Sequence, residues 1–121
     1  MKHAITIYEK PTCSTCRQVV KSFEAHGVPF EKINYIIDPP TRETLTAMVA
    51  RLDVPAKELI RTKEAEFKAL GVDADTMTNA HIVTLLAEHP ALMQRPVIEH
   101  DGKYSLGRPL EKIDKFLRDL K

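Results

Sequence analysis

The chain has 121 residues, of which 43% are hydrophobic and 29% charged, and its formal net charge is +1. That size suits one domain with a core of its own and no need for disulfide staples. A near-neutral charge without a polybasic stretch gives no footprint for nucleic acid or anionic membrane, and no apolar run approaches the ~20 residues of a spanning helix.

The start, "MKHAITIYEKP", has too short an apolar run for a signal peptide, so a cytoplasmic location is the default expectation. For the oligomeric state, which the sequence leaves open, a monomer is the default. Within it "HAITIY", residues 3 to 8, is short and β-rich and predicts a strand. Cys16, Val19, Val20 and Phe23 then recur at helical spacing, and His26-Gly27 marks a stop. "PFEKINYII", residues 29 to 37, alternates as a second strand. The order β-α-β predicts two parallel strands joined by a right-handed crossover.

"DPPT", residues 38 to 41, interrupts the pattern. Leu45, Met48, Val49 and Leu52 then mark one amphipathic helix. Residues 57 to 70, "KELIRTKEAEFKAL", predict a second helix that ends at Gly71, and residues 79 to 88 a third that stops before Pro90. "PVIEH" and "KYSLG" flank Asp101-Gly102, a strong hairpin signal. The tail "RPLEKIDKFLRDL" places Ile113, Phe116, Leu117 and Leu120 on one helical face. The expected fold is α/β: a thioredoxin-like four-stranded mixed sheet with flanking helices. Residues 1–38 and 90–121 would form its core, with a helical insertion at 39–89, all within one domain, 1–121.

Both cysteines lie in "YEKPTCSTCRQVV". Cys13 falls where the first strand gives way to the first helix, and Cys16 one turn into it. The free N–H groups and positive dipole end of a helix favour an anion, so the Cys13 thiol is expected below the ordinary ~8.5. A helical turn also brings Cys16 within reach, so the pair can close a disulfide on oxidation. A zinc site needs about four ligands. There is no second CxxC, and His3, His26, His81, His89 and His100 form no matching pair, so no metal is expected. Packing remains an alternative for Cys16, which shares the apolar spacing of Val19 and Phe23.

Arg95 and Arg108 each stand directly before a proline, in "QRPV" and "GRPL", and Arg61 lies in the second predicted inserted helix. A residue before proline is held extended, which gives its side chain a defined direction. Arginine suits forked recognition of oxyanions. Spacing alone does not bring the three together, and solvated surface charge is the alternative.

"ITIYEKPTCSTCR", "PPTRETL", "ELIRTKEAEFKALG", "HPALMQRPVIE" and "LGRPLEKI" together resemble the glutaredoxin-linked arsenate reductase family and its relatives, the Spx regulators. The resemblance is collinear from residue 4 to about 118. It implies that Cys13 is the nucleophile and that Arg61, Arg95 and Arg108 bind the oxyanion. Arg17 also fits the motif, and Pro96 is the expected cis proline. The implied substrate is arsenate, reduced to arsenite through a covalent Cys13–arsenic adduct. The implied second thiol is glutathione, followed by glutaredoxin, or else Cys16 as a second catalytic cysteine, leaving a disulfide for thioredoxin or glutaredoxin to reduce, with no bound cofactor.

Two departures matter. Cys16 stands where such reductases usually carry serine, whereas Spx regulators carry CxxC. Glu9 replaces a histidine often found just upstream of the nucleophile, and a carboxylate there would tend to raise the Cys13 pKa. Against a regulator, Spx-like sequences generally lack arginine at the positions of Arg61 and Arg108. The alternatives are a redox-sensing regulator that docks on RNA polymerase and a general thiol–disulfide oxidoreductase.

Overall fold

The structure, a computed structural model, describes residues 5–108 and 110–120. The first two residues of the expected first strand, and the proline after Arg108, lie outside them. The elements run β1 (Ile5–Glu9), α1 (Ser14–Ala25), β2 (Glu31–Asn34), α2 (Arg42–Arg51), α3 (Ala65–Ala69), α4 (Asn79–Glu88), β3 (Val97–His100), β4 (Lys103–Leu106) and α5 (Leu110–Asp119). Single 3-10 turns fall at Ala56–Leu59, Ala74–Thr76 and Pro90–Leu92.

The four strands form one mixed sheet in the order β2-β1-β3-β4. β1 pairs parallel with β2, Tyr8 opposite Ile33, and antiparallel with β3, Ile7 opposite Ile98. β3 and β4 form the hairpin, closed by Asp101 at φ 54° and Gly102 at φ 76°. Two positive φ angles give the turn whose twist matches the strands it joins.

Period-two alternation sends side chains to opposite faces of this sheet, and each face has its own cluster. Ile5, Ile7 and Ile98 pack with Val19 and Phe23 of α1 and with Ile113 and Leu117 of α5. Phe23 is central there, its ring 5.3 Å from that of Phe30 and 6.3 Å from that of Phe116. Tyr8, Val97, Tyr104 and Leu106 point the other way, against Leu45, Met48 and Val49 of α2 and Ile82, Val83 and Leu86 of α4. The fold is therefore three layers, with α1 and α5 on one face and the 42–88 helices on the other. Thr41 and Thr78 start α2 and α4 by accepting from the backbone N–H groups of Thr44 and His81.

Two expected elements come out differently. The second strand is shorter than 29–37 because Asn34 turns the chain. Its Oδ1 accepts from the Ile36 N–H at 3.1 Å, and its carbonyl oxygen accepts from the N–H groups of Ile37 and Asp38. The helix expected over 57–70 is broken in the middle, and only Ala65–Ala69 is α-helical. Leu59 and Ile60 are adjacent and both buried. Ile60 forms an isolated antiparallel bridge with Met93, the Arg61 N–H donates to the Leu92 carbonyl oxygen at 2.8 Å, and the Gln94 N–H donates to that of Leu59 at 2.7 Å. Tertiary pairing with the 92–94 segment overrides helix propensity here.

Candidate active site

Cys13 is the N-cap of α1, with extended backbone at φ −82°, ψ 122°. Its Sγ accepts from the backbone N–H of Cys16 at 3.3 Å, satisfying one of the donors that a helix start leaves free. Burial acts to raise the Cys13 pKa. It is outweighed by hydrogen bonds from the Cys16 side chain and backbone and by the guanidinium of Arg95, so the thiol titrates below its ordinary value. Cys13 is half-buried, so the thiolate remains approachable.

Cys16 is the opposite case. It is 0% exposed. Burial, followed by the neighbouring Cys13 and the charge of Glu9, pushes its thiol up to about 12 despite a backbone hydrogen bond at Lys10. Glu9 is only 6% exposed and is the one buried charged side chain among the described residues. Strand alternation puts it on the face shared with Ile5 and Ile7, beneath α1. The carboxylate at this position thus bears on Cys16, while Cys13 is lowered all the same.

Two arginines converge on Cys13 from the β3 and β4 ends. Arg108 Nη2 lies 4.0 Å from Sγ, and its Nε donates to the Arg95 carbonyl oxygen at 2.7 Å. Arg95 Nη1 donates to the Tyr35 hydroxyl at 3.2 Å, and that hydroxyl in turn donates to the Met93 carbonyl oxygen at 2.8 Å. Arg95 Nε is buried and has no hydrogen-bond partner among the described residues. Arg95 thus holds a donor in reserve. The Arg95–Pro96 peptide bond is cis, and the Pro96 carbonyl oxygen accepts from the Gly107 N–H at 2.8 Å. A Cβ on Gly107 would fall 2.5 Å from Pro96 Cγ, so glycine is required for that approach.

Arg61 reaches the group from outside any helix, contrary to its expected place within one. Its Nη1 donates to Gln94 Oε1 at 2.9 Å, and the same oxygen accepts from the Arg95 N–H at 3.3 Å. Arg61, Gln94 and Arg108 line one cavity of about 320 Å³. Arg17 stands apart: Nη1 donates to the Pro11 carbonyl oxygen at 3.1 Å, bracing the loop that leads into Cys13. Tyr35 and Gln94 carried no signal in the sequence. The first reads as an ordinary strand residue, and the second only as the neighbour of Arg95.

The sheet order, the helices on both faces and the thiol capping the first helix define a thioredoxin-like protein. The ArsC family model matches residues 8–116, and the chain belongs to that family. An arsenate reductase of Neisseria meningitidis is 33% identical over 114 residues, covering 93% of this chain and 97% of that protein. The global transcriptional regulator Spx of Lactococcus lactis is 29% identical, covering 93% of this chain and 86% of the regulator. The solved structure of an arsenate reductase from Vibrio cholerae superimposes with a TM-score of 0.85 at 27% identity, over 95% of this chain and 98% of that one. Among the described residues, no group of three or more His, Cys, Asp or Glu is placed to hold a metal ion, and no helix is long and apolar enough to cross a membrane.

Proposed function

We propose that the protein is an arsenate reductase that uses two thiols to reduce arsenate to arsenite. The observation that carries this reading is the lowered Cys13 thiol with Arg95 and Arg108 gathered at it. Relatives named arsenate reductase support the substrate. Arg61, Arg95 and Arg108 offset the charge of the anion, which would otherwise repel a thiolate.

The Cys13 thiolate attacks arsenic. A sulfur–arsenic bond forms, and one arsenic–oxygen bond breaks, its oxygen leaving as water after taking up protons. A second thiolate then attacks the Cys13 sulfur. The disulfide bond forms as the sulfur–arsenic bond breaks, and its electron pair stays on arsenic, which departs as arsenite. The second thiol is glutathione, followed by glutaredoxin, or else Cys16, which leaves a disulfide for thioredoxin or glutaredoxin. With a pKa near 12, Cys16 is protonated at neutral pH, which favours the external thiol.

The test is arsenate-dependent NADPH oxidation, coupled in turn to the glutaredoxin and thioredoxin systems. Turnover that vanishes in Cys13→Ser supports the reading. Absence of turnover with both systems overturns it. The CxxC pair and the Spx relative favour one other reading, a redox-sensing regulator. It predicts oxidation-dependent capture of RNA polymerase subunits and no arsenate turnover.

A further inference from the structure

The segment that carries Arg61 also carries a carboxylate aimed back at it. Glu64 Oε1 accepts from Arg61 Nε at 3.1 Å and from Nη2 at 2.9 Å. With Nη1 on Gln94, the edge of the guanidinium best shaped for a forked oxyanion contact is filled by the protein itself. Glu64 stands at the N-cap position of α3 yet makes no side-chain cap there. It serves Arg61 instead. Both residues line the cavity of about 320 Å³ that Arg108 also borders.

We propose that Glu64 is a resident competitor for the oxyanion site: its carboxylate holds the fork of Arg61 in the free protein and must release it to an incoming oxyanion. The inference rests on the reading of Arg61 as an oxyanion ligand. The exchange breaks one charge-assisted pair and makes another. The paired Glu64 side chain is already 44% exposed, so its carboxylate returns easily to water once released. The pair is only partly buried, Glu64 being its more exposed side, and ion pairs open to water are weak, so the contact is displaceable. The hydrogen bonds and charge of Arg61 lower the Glu64 pKa, so the competitor is charged at neutral pH. Glu64 therefore sets how much oxyanion the site requires before it fills.

The test compares Glu64→Gln, Arg61→Ala, the double variant and Glu66→Gln. Glu66 pairs with His89 and supplies a control carboxylate two residues away. Glu64→Gln should lower the KM for arsenate about threefold or more, with kcat nearly unchanged. Inorganic phosphate, a redox-inert probe, should protect Cys13 of Glu64→Gln from iodoacetamide at a correspondingly lower concentration. Neither shift should occur in Glu66→Gln, and neither should survive in the Arg61→Ala background. An unchanged or raised KM, an equal shift in Glu66→Gln, or persistence without Arg61 overturns the proposal. If no form turns over arsenate, the reductase reading falls while phosphate protection still decides the role of Glu64. Equal protection in wild type and Glu64→Gln, or none in either, overturns the competitor with the reductase reading left to its own assay.

Discussion

Arg108 donates through Nε to the carbonyl oxygen of Arg95 at 2.7 Å, so the two cations at Cys13 are joined through one backbone group. Shifting either moves the other. Arg108→Ala should therefore cost more than one missing charge, with kcat/KM for arsenate falling about a hundredfold or more. Arg108→Lys keeps the charge but loses the fork, and should recover only a small part of the rate. Steady-state kinetics on the two variants check this, and equal activity in Arg108→Lys and wild type would show that charge alone suffices.

The two cysteines should titrate far apart. Alkylation of the folded protein between pH 6 and 8 should label Cys13 and leave Cys16 unmodified, as read by peptide mass spectrometry. The Cys13 rate should have a midpoint below the ordinary thiol value of ~8.5. The folded-state pKa is depressed, so the unfolded chain binds more protons across this window. Stability relative to Cys13→Ser should thus rise with pH from the folded midpoint to the unfolded one, and be lost as pH falls through the folded midpoint. A Cys13 midpoint at or above the ordinary value would remove the helix-cap account.

Tyr35→Phe should separate positioning from folding. The ring stays buried, but Arg95 loses its partner and the Met93 carbonyl oxygen loses its donor. We expect a loss of about 1–2 kcal/mol in stability and about tenfold in kcat/KM. Urea unfolding and kinetics on the same preparation check both. A stability loss with unchanged kinetics would make Tyr35 a core residue only.

Gly107→Ala tests the contact with Pro96. The added methyl meets a ring carbon at 2.5 Å and a carbonyl oxygen at 3.3 Å, so the start of β3 must shift and Arg95 with it. The expected cost is about 1–3 kcal/mol in stability, with activity falling further than stability alone explains.

Much of this was legible in the sequence because it is local. The cysteine motif lies between a β-rich run and an apolar period of 3.6, which already places Cys13 at a helix start. Asp101-Gly102 marked its hairpin just as plainly. The 57–70 segment departs from the expected helix for a physical reason. Its composition favours helix, but Leu59 and Ile60 are claimed by Met93 and its neighbours, more than thirty residues away, and no local pattern records that pairing. The contacts of Tyr35 and Gln94 were hidden in the same way, since each acts through partners distant in the chain. Arg95 and Arg108 stand out by the prolines that follow them, whereas the cis Pro96 and the convergence of the arginines on one anion are implied by resemblance and not by periodicity.

The bridge between Ile60 and Met93 has a consequence for how the protein yields under stress. Arg61 hangs from one side of it and Arg95 follows closely on the other. Local opening of the 42–88 layer would pull those two cations apart while β1 and α1 stayed folded, so the cation cluster would come apart before the helix that Cys13 caps. Mild warming should therefore loosen the arginine cluster before any global melting, with the amide protons of Arg61 and Gln94 exchanging early.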